Sequence, residues 1–111
     1  SSHRKQTEVE KMLVNTDIIV GIENPAGKLI GFCRVLTDFV YRAILFDVIV
    51  HPDYRGQGLG KLLIETVVEH PDLQQVEQID LCCLPNMIEF YNQWDFTTEL
   101  GEFRLMRRLR H

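Results

Sequence analysis

The sequence predicts a mixed α/β domain, with strands and helices alternating around one mixed sheet. Three observations predict it. Short β-branched runs recur along the chain, the clearest being Ala43 to Val50. Between two such runs the apolar residues Leu59, Leu62, Leu63 and Val67 fall at helical spacing. At 111 residues the chain is one domain, long enough to bury a modest core.

Ser1 to Lys5 carry no pattern and are expected to be disordered or foreign to the natural protein. Thr7 and Glu10 have capping-box spacing, so Thr7 should be the N-cap of a short helix that ends near Asn15, with Val9, Met12 and Leu13 on one face. Asp17 to Glu23 reads as a strand, and the turn Asn24-Pro25-Ala26-Gly27 leads into a second, Leu29 to Leu36, giving an antiparallel hairpin. Gly31 marks a bulge or a close approach inside it. Phe39, Val40 and Tyr41 follow a turn at Thr37-Asp38 and could join either neighbouring strand. Ala43 to Val50 is nearly all apolar, as a central strand should be.

A helix is expected from Gly58 to Glu69, ended by His70-Pro71-Asp72, and a strand from Val76 to Cys83, broken by Pro85. Asn86 can cap a further helix with Glu89 three residues on, and Met87, Phe90, Tyr91 and Trp94 make its apolar stripe. Phe96 to Leu100 and Glu102 to Leu109 read as two final strands hinged near Gly101. The predicted order is α-β-β-β-α-β-α-β-β.

Composition narrows the function. A net charge of −4 argues against a general nucleic-acid binder. No apolar run reaches about 18 residues, so no membrane-spanning helix is expected. No signal-peptide pattern opens the chain. Cys33, Cys82 and Cys83 have no metal-ligand spacing and make no disulfide framework; all three are expected to be buried, reduced thiols in a cytoplasmic protein. Arg104, Arg107, Arg108 and Arg110 crowd the C-terminal end, as a charge-protected edge strand or an interaction patch.

The chemistry is concentrated between Asp47 and Glu69. Val48, Ile49 and Val50 end a strand, His51-Pro52 stops it, and Gly56, Gly58 and Gly60 follow in alternation before the helix. A glycine loop entering a helix N-terminus is an anion site. A dinucleotide fingerprint needs its third glycine at Lys61 or Leu63, and a P-loop needs glycine at Arg55 and Ser or Thr at Leu62. Both are excluded.

The pattern Arg55-x-x-Gly58-x-Gly60 after a strand ending in His-Pro closely resembles the acetyl-CoA-binding signature of the GCN5-related N-acetyltransferases. The resemblance runs from about residue 7 to 109. It implies an acetyl-CoA N-acyltransferase-like fold lacking the family's first strand and helix, as a naturally short or a trimmed chain. The acceptor pocket would then be open, or walled jointly by two chains in a homodimer.

The resemblance implies roles for individual residues. The backbone N–H groups of Gly56, Gln57, Gly58, Leu59, Gly60 and Lys61 would face the pyrophosphate, with Arg55 anchoring the loop or touching the ligand. Lys61 would add charge or merely sit on the helix surface. The strand segment Val48, Ile49 and Val50 would hold the pantetheine arm through its backbone, and an N–H there could polarise the thioester. Phe90-Tyr91 followed by Asp95-Phe96 resembles the family's Phe-Tyr-x-x-x-Gly-Phe signature, making Tyr91 the candidate general acid; core packing explains Tyr91 equally. Asp95 stands where the family prefers Gly. Asn86 could replace the family's upstream Asn, whose aligned position is Leu84, or only cap the helix. The base is open between Asp47, Asp80 and a water chain, with His51 a further titratable group in a structural-looking turn. The expected activity is direct transfer of acetyl from acetyl-CoA to a primary amine, of a small molecule or a protein, with no metal. The alternative is a non-catalytic acyl-CoA-binding regulatory module.

Overall fold

The computed structural model describes residues 4–110. Helix α1 spans Gln6–Val14 and leads into strands β1 (Ile18–Glu23), β2 (Leu29–Thr37) and β3 (Arg42–Val50). Helix α2 (Leu59–Val68), strand β4 (Gln78–Leu81) and helix α3 (Ile88–Asn92) follow. Short 3-10 turns at Pro52–Tyr54, Pro71–Leu73 and Pro85–Met87 begin at three of the four prolines, which pre-set φ and lack the N–H such a turn leaves free.

The sheet runs β1-β2-β3-β4. The first two pairings are antiparallel and β3 pairs with β4 in parallel, so α2 supplies the crossover that a parallel pair requires. Leu63, Ile64 and Val67 of α2 are fully buried against Ile18, Cys33, Val35, Ala43 and Leu45 of the sheet, with Leu73 and Tyr91 closing the cluster. Alternation along β2 and β3 puts those residues on one face and Arg34, Ile44 and Phe46 on the other. Gly31 is a close-approach glycine: a Cβ there would meet Ile22 Cδ1 at 3.2 Å. Phe39, Val40 and Tyr41 join neither strand. The Asp38 carboxylate accepts from the N–H groups of Val40, Tyr41 and Arg42 and folds them into a turn, with Phe39 at φ 64°.

Several expectations are corrected. Neither Phe96–Leu100 nor Glu102–Leu109 forms a strand; the sheet ends at β4, and their large apolar side chains after Phe96 are exposed. The Thr7 capping box is not made. The N-cap is Lys5, two residues earlier, the Lys5 carbonyl accepts from Glu8 and Val9 N–H, and Glu10 is taken by Gln6 Nε2 at 3.1 Å. Of the N-terminal stretch expected to be disordered, Lys5 is thus the N-cap of α1, while residues 1–3 lie outside those described. Cys33 is buried as expected, but Cys82 and Cys83 fall past the end of β4 and are exposed. Burial pushes the Cys33 thiol up to about 11.

Candidate active site

The loop after β3 is shaped by glycine. Gly56 and Gly58 sit at φ +79° and +81°, a left-handed backbone that side chains resist, and a Cβ on either would meet nothing within 4 Å. Gly58 is the N-cap of α2 and, having no side chain, leaves the helix uncapped. The first internal bond runs from Leu62 N–H to the Gly58 carbonyl at 3.1 Å, so the N–H groups of Leu59, Gly60 and Lys61 precede the helical ladder. These donors add to the positive end of the helix dipole on a surface lined by exposed Gly56, Gln57 and Gly58. Lys61 is exposed in the first turn.

Three contacts fix this loop. Arg55 Nε donates to the Val50 carbonyl at 3.2 Å, folding the loop back onto the strand it left. His51 Nδ1 accepts from Asp53 N–H at 3.1 Å and caps the intervening turn. Asn24 Nδ2 donates to the Tyr54 hydroxyl at 3.0 Å, tying the β1–β2 turn to the residue before Arg55.

Beside the loop the sheet opens. β3 pairs with β4 only from Arg42↔Gln78 to Leu45↔Leu81, while its pairing with β2 continues to Val50. Beyond Leu45 one edge of β3 therefore carries backbone groups with no β4 partner. Val48, Ile49 and Val50 all lie on this stretch. It is also bulged. The β2–β3 register slips between Phe32 and Arg34, and Asp47 takes φ 56°. Asp47 accepts from Arg34 Nε at 2.7 Å, and Arg4 approaches it at 3.9 Å. The Arg34 guanidinium also lies 4.8 Å from the Phe46 ring centre and donates to the Thr16 hydroxyl at 3.4 Å. Arg34 was missed by sequence reasoning. Its signal is that Arg34 and Asp47 are charges set in the middle of apolar strand segments.

Helix α3 packs on the start of α2: a Cβ on Gly60 would touch Phe90 Cζ at 3.5 Å. Tyr91, next in sequence, is 7% exposed and stacks edge-on with Phe90 and Phe96, with ring centres 5.0 and 6.0 Å apart. Burial, then the neighbouring Cys83 and Cys33, hold its phenol above the usual tyrosine value, so it stays protonated. α3 is shorter than its apolar stripe, with Trp94 in the turn beyond it. Asn86 is not its cap. It lies exposed in the preceding 3-10 turn, the N-cap is Met87, and no side chain caps the helix. Asp80 pairs in register with Ile44 and accepts from Gln78 Nε2 at 2.9 Å. The structure thus brings the glycine loop, the open edge of β3 and the helix carrying Tyr91 together, and sets Asp80 on a strand that ends before the opening. No group of three or more His, Cys, Asp or Glu that could hold a metal occurs among the described residues.

Residues 15–98 match the Acetyltransferase (GNAT) domain. The chain belongs to this family. A protein described as an uncharacterized N-acetyltransferase ycf52-like from Prochlorococcus marinus is 36% identical over 101 residues, covering 88% of this chain and 56% of the relative. GCN5-related N-acetyltransferase 2, chloroplastic, of Arabidopsis thaliana is 36% identical over 79 residues, covering 71% and 31%. A crystal structure of a Xanthomonas campestris protein assigned to the GNAT family superposes with TM-score 0.84 at 31% identity, covering 94% of this chain and 71% of that one. Like its fold, the mixed sheet of this chain is that of the GNAT acetyltransferases. The chain spans 56% or less of the length of these two curated relatives.

Proposed function

We propose that the chain transfers an acetyl group from acetyl-CoA to a primary amine by direct attack. The observation that carries this reading is the pair of left-handed glycines, Gly56 and Gly58, opening the uncapped N-terminus of α2 beside the unpaired edge of β3. This cradle fits a pyrophosphate on bare N–H groups and an amide-bearing arm along a strand edge. Acetyl-CoA supplies the activated thioester. Arg55 acts by holding the loop against Val50 rather than by meeting the ligand.

In the transfer, the amine nitrogen forms a bond to the carbonyl carbon and the carbon–sulfur bond breaks. Tyr91, kept protonated by its surroundings, gives its proton to the departing sulfur. The amine sheds its proton to water, because Asp47 is already engaged by Arg34 and Asp80 by Gln78. The Arg34–Asp47 pair positions the bulge, and through it the backbone facing the thioester.

Calorimetric titration with acetyl-CoA tests the reading, with desulfo-CoA and ADP as controls, followed by thiol release across a panel of amines. Binding and release support it. A folded protein that binds no coenzyme overturns it. A second reading, a non-catalytic acyl-CoA-binding module, is favoured by the engagement of both carboxylates. Binding without release from any amine would select it.

A further inference from the structure

The thiols of the chain fall into two classes. Cys33 is fully buried, and burial pushes its thiol up to about 11, so it is inert. Cys82 and Cys83 are exposed, in the two residues that follow the end of β4 at Leu81. Neither has a role in the transfer described above.

Both stand where two strands part. The last rung of the β3–β4 ladder is Leu45↔Leu81. Beyond it β3 runs on to Val50, while the facing chain leaves the sheet as Cys82 and Cys83. The two cysteines therefore wall the opening across from the unpaired stretch of β3. Ile79 and Leu81 pack toward the core, and alternation carried past Leu81 puts Cys83 on that side and Cys82 on the side of Asp80. Tyr91 belongs to the same core cluster, and after burial Cys83 is the largest influence keeping its phenol protonated.

Tyr91 is itself a second sign of a ligand here. It is 7% exposed, and its hydroxyl bonds to no described residue without being sealed from solvent. A hydroxyl so deeply set and unpartnered marks the place of a ligand atom. With the pyrophosphate at the glycine loop and the arm along Val48 to Val50, that atom is the coenzyme sulfur. Cys83 then shares one small space with it.

We propose that Cys83 is a site of covalent capture for the disulfide of coenzyme A, forming a mixed disulfide with the half held in the cradle. This inference rests on the acetyl-CoA reading of the site. The step is thiol–disulfide exchange. The Cys83 sulfur, as thiolate, attacks the near sulfur of the coenzyme disulfide. A new sulfur–sulfur bond forms and the old one breaks. The departing half leaves as a free thiol, taking up the proton that Cys83 gave up. The disulfide is the oxidant, and its departing half is reduced. The captured half fills the cradle and stops transfer until a reducing thiol releases it. Cys82, on the other face, and Cys33, in the core, stay free.

The test treats the reduced full chain with coenzyme A disulfide and, in parallel, with pantethine, which has the same disulfide and arms without the pyrophosphate-linked nucleotides. Intact mass follows the adduct and peptide mapping locates it. The coenzyme adduct should form at least about tenfold faster than the pantetheine adduct, because the cradle holds the reacting sulfurs together. It should map to Cys83 in the unaltered chain, persist in Cys82→Ser, vanish in Cys83→Ser and be reversed by dithiothreitol. Gly58→Glu should bring the two rates together. A chain that binds acetyl-CoA in calorimetry yet reacts equally fast with both disulfides, or carries the adduct on Cys82, overturns this inference alone. A folded chain that binds no acetyl-CoA overturns the reading of the site and this inference with it.

Discussion

Arg34 and Asp47 meet at 2.7 Å where the β2–β3 ladder slips by one residue. Asp47 holds a left-handed backbone there, which costs a non-glycine residue about 1–2 kcal/mol. The charge-assisted hydrogen bond offsets that cost with a gain of about the same size. The pair is therefore a structural brace for the stretch of β3 that carries Val48 to Val50. Arg34→Met should lower stability by roughly 2 kcal/mol in urea denaturation. A change under about 0.5 kcal/mol would mean that the bulge holds itself.

In the proposed mechanism the same pairing keeps Asp47 out of base chemistry. Asp47→Asn keeps a hydrogen-bond acceptor for Arg34 but loses the charge. Turnover should fall by less than about tenfold, and the low-pH limb of the rate profile should remain. A loss of about 10²–10⁴-fold together with that limb is the signature of a general base and would restore the role to Asp47.

Gly58→Glu should abolish acetyl-CoA binding, by steric block and by repulsion of the pyrophosphate. The fold should survive with a penalty of about 1–2 kcal/mol for the left-handed backbone, since the position opens onto free space. Undiminished affinity in calorimetry would remove the loop from the site. Gly60→Ala makes the contrast. Its backbone is not left-handed and an added methyl only touches Phe90, so stability should hold or rise by up to about 1 kcal/mol.

Tyr91→Phe should reduce turnover by about 10²-fold or more while leaving coenzyme affinity within a few-fold. Its ring packing against Phe90 and Phe96 is preserved, so thermal stability should barely move. Equal turnover of the two proteins would return Tyr91 to the core alone.

Cys33 sets an alkaline limit on stability. Its thiol is raised from 9.0 to about 11 by burial, so the folded chain keeps a proton that the unfolded chain loses first. Stability should be whole below pH 9, fall as pH rises, and level off above about pH 11. In Cys33→Ala this component of the slope should vanish; an identical slope between pH 9 and 11 would contradict it.

Much of this was legible in the sequence because local patterns and tertiary needs agree. β1, β2, β3 and α2 appear within a residue or two of their expected limits, since each carries an apolar face that the others bury. The glycine loop was legible because φ near +80° is a property of residue type. The terminal strands were misread for the converse reason. Phe103 to Leu109 has strand periodicity, but a strand exists only where an edge receives it, and periodicity does not say which edge. Thr7 and Asn86 failed as caps because competing acceptors and turns, Lys5 and the Pro85–Met87 turn, set where the helices begin. Arg34 and Asp47 stand 13 positions apart, and the slip in register that joins them is not written locally.

The parting of β3 from β4 after Leu45 gives the sheet a removable rung. Its unsatisfied amides are protected in turn by water and by whatever extended, amide-bearing guest lies along them. Guest affinity and sheet cohesion are then one free energy seen from two ends. Ligand occupancy should slow hydrogen exchange at Val48 to Val50 most of all, and an empty groove should be the place where the sheet first lets go.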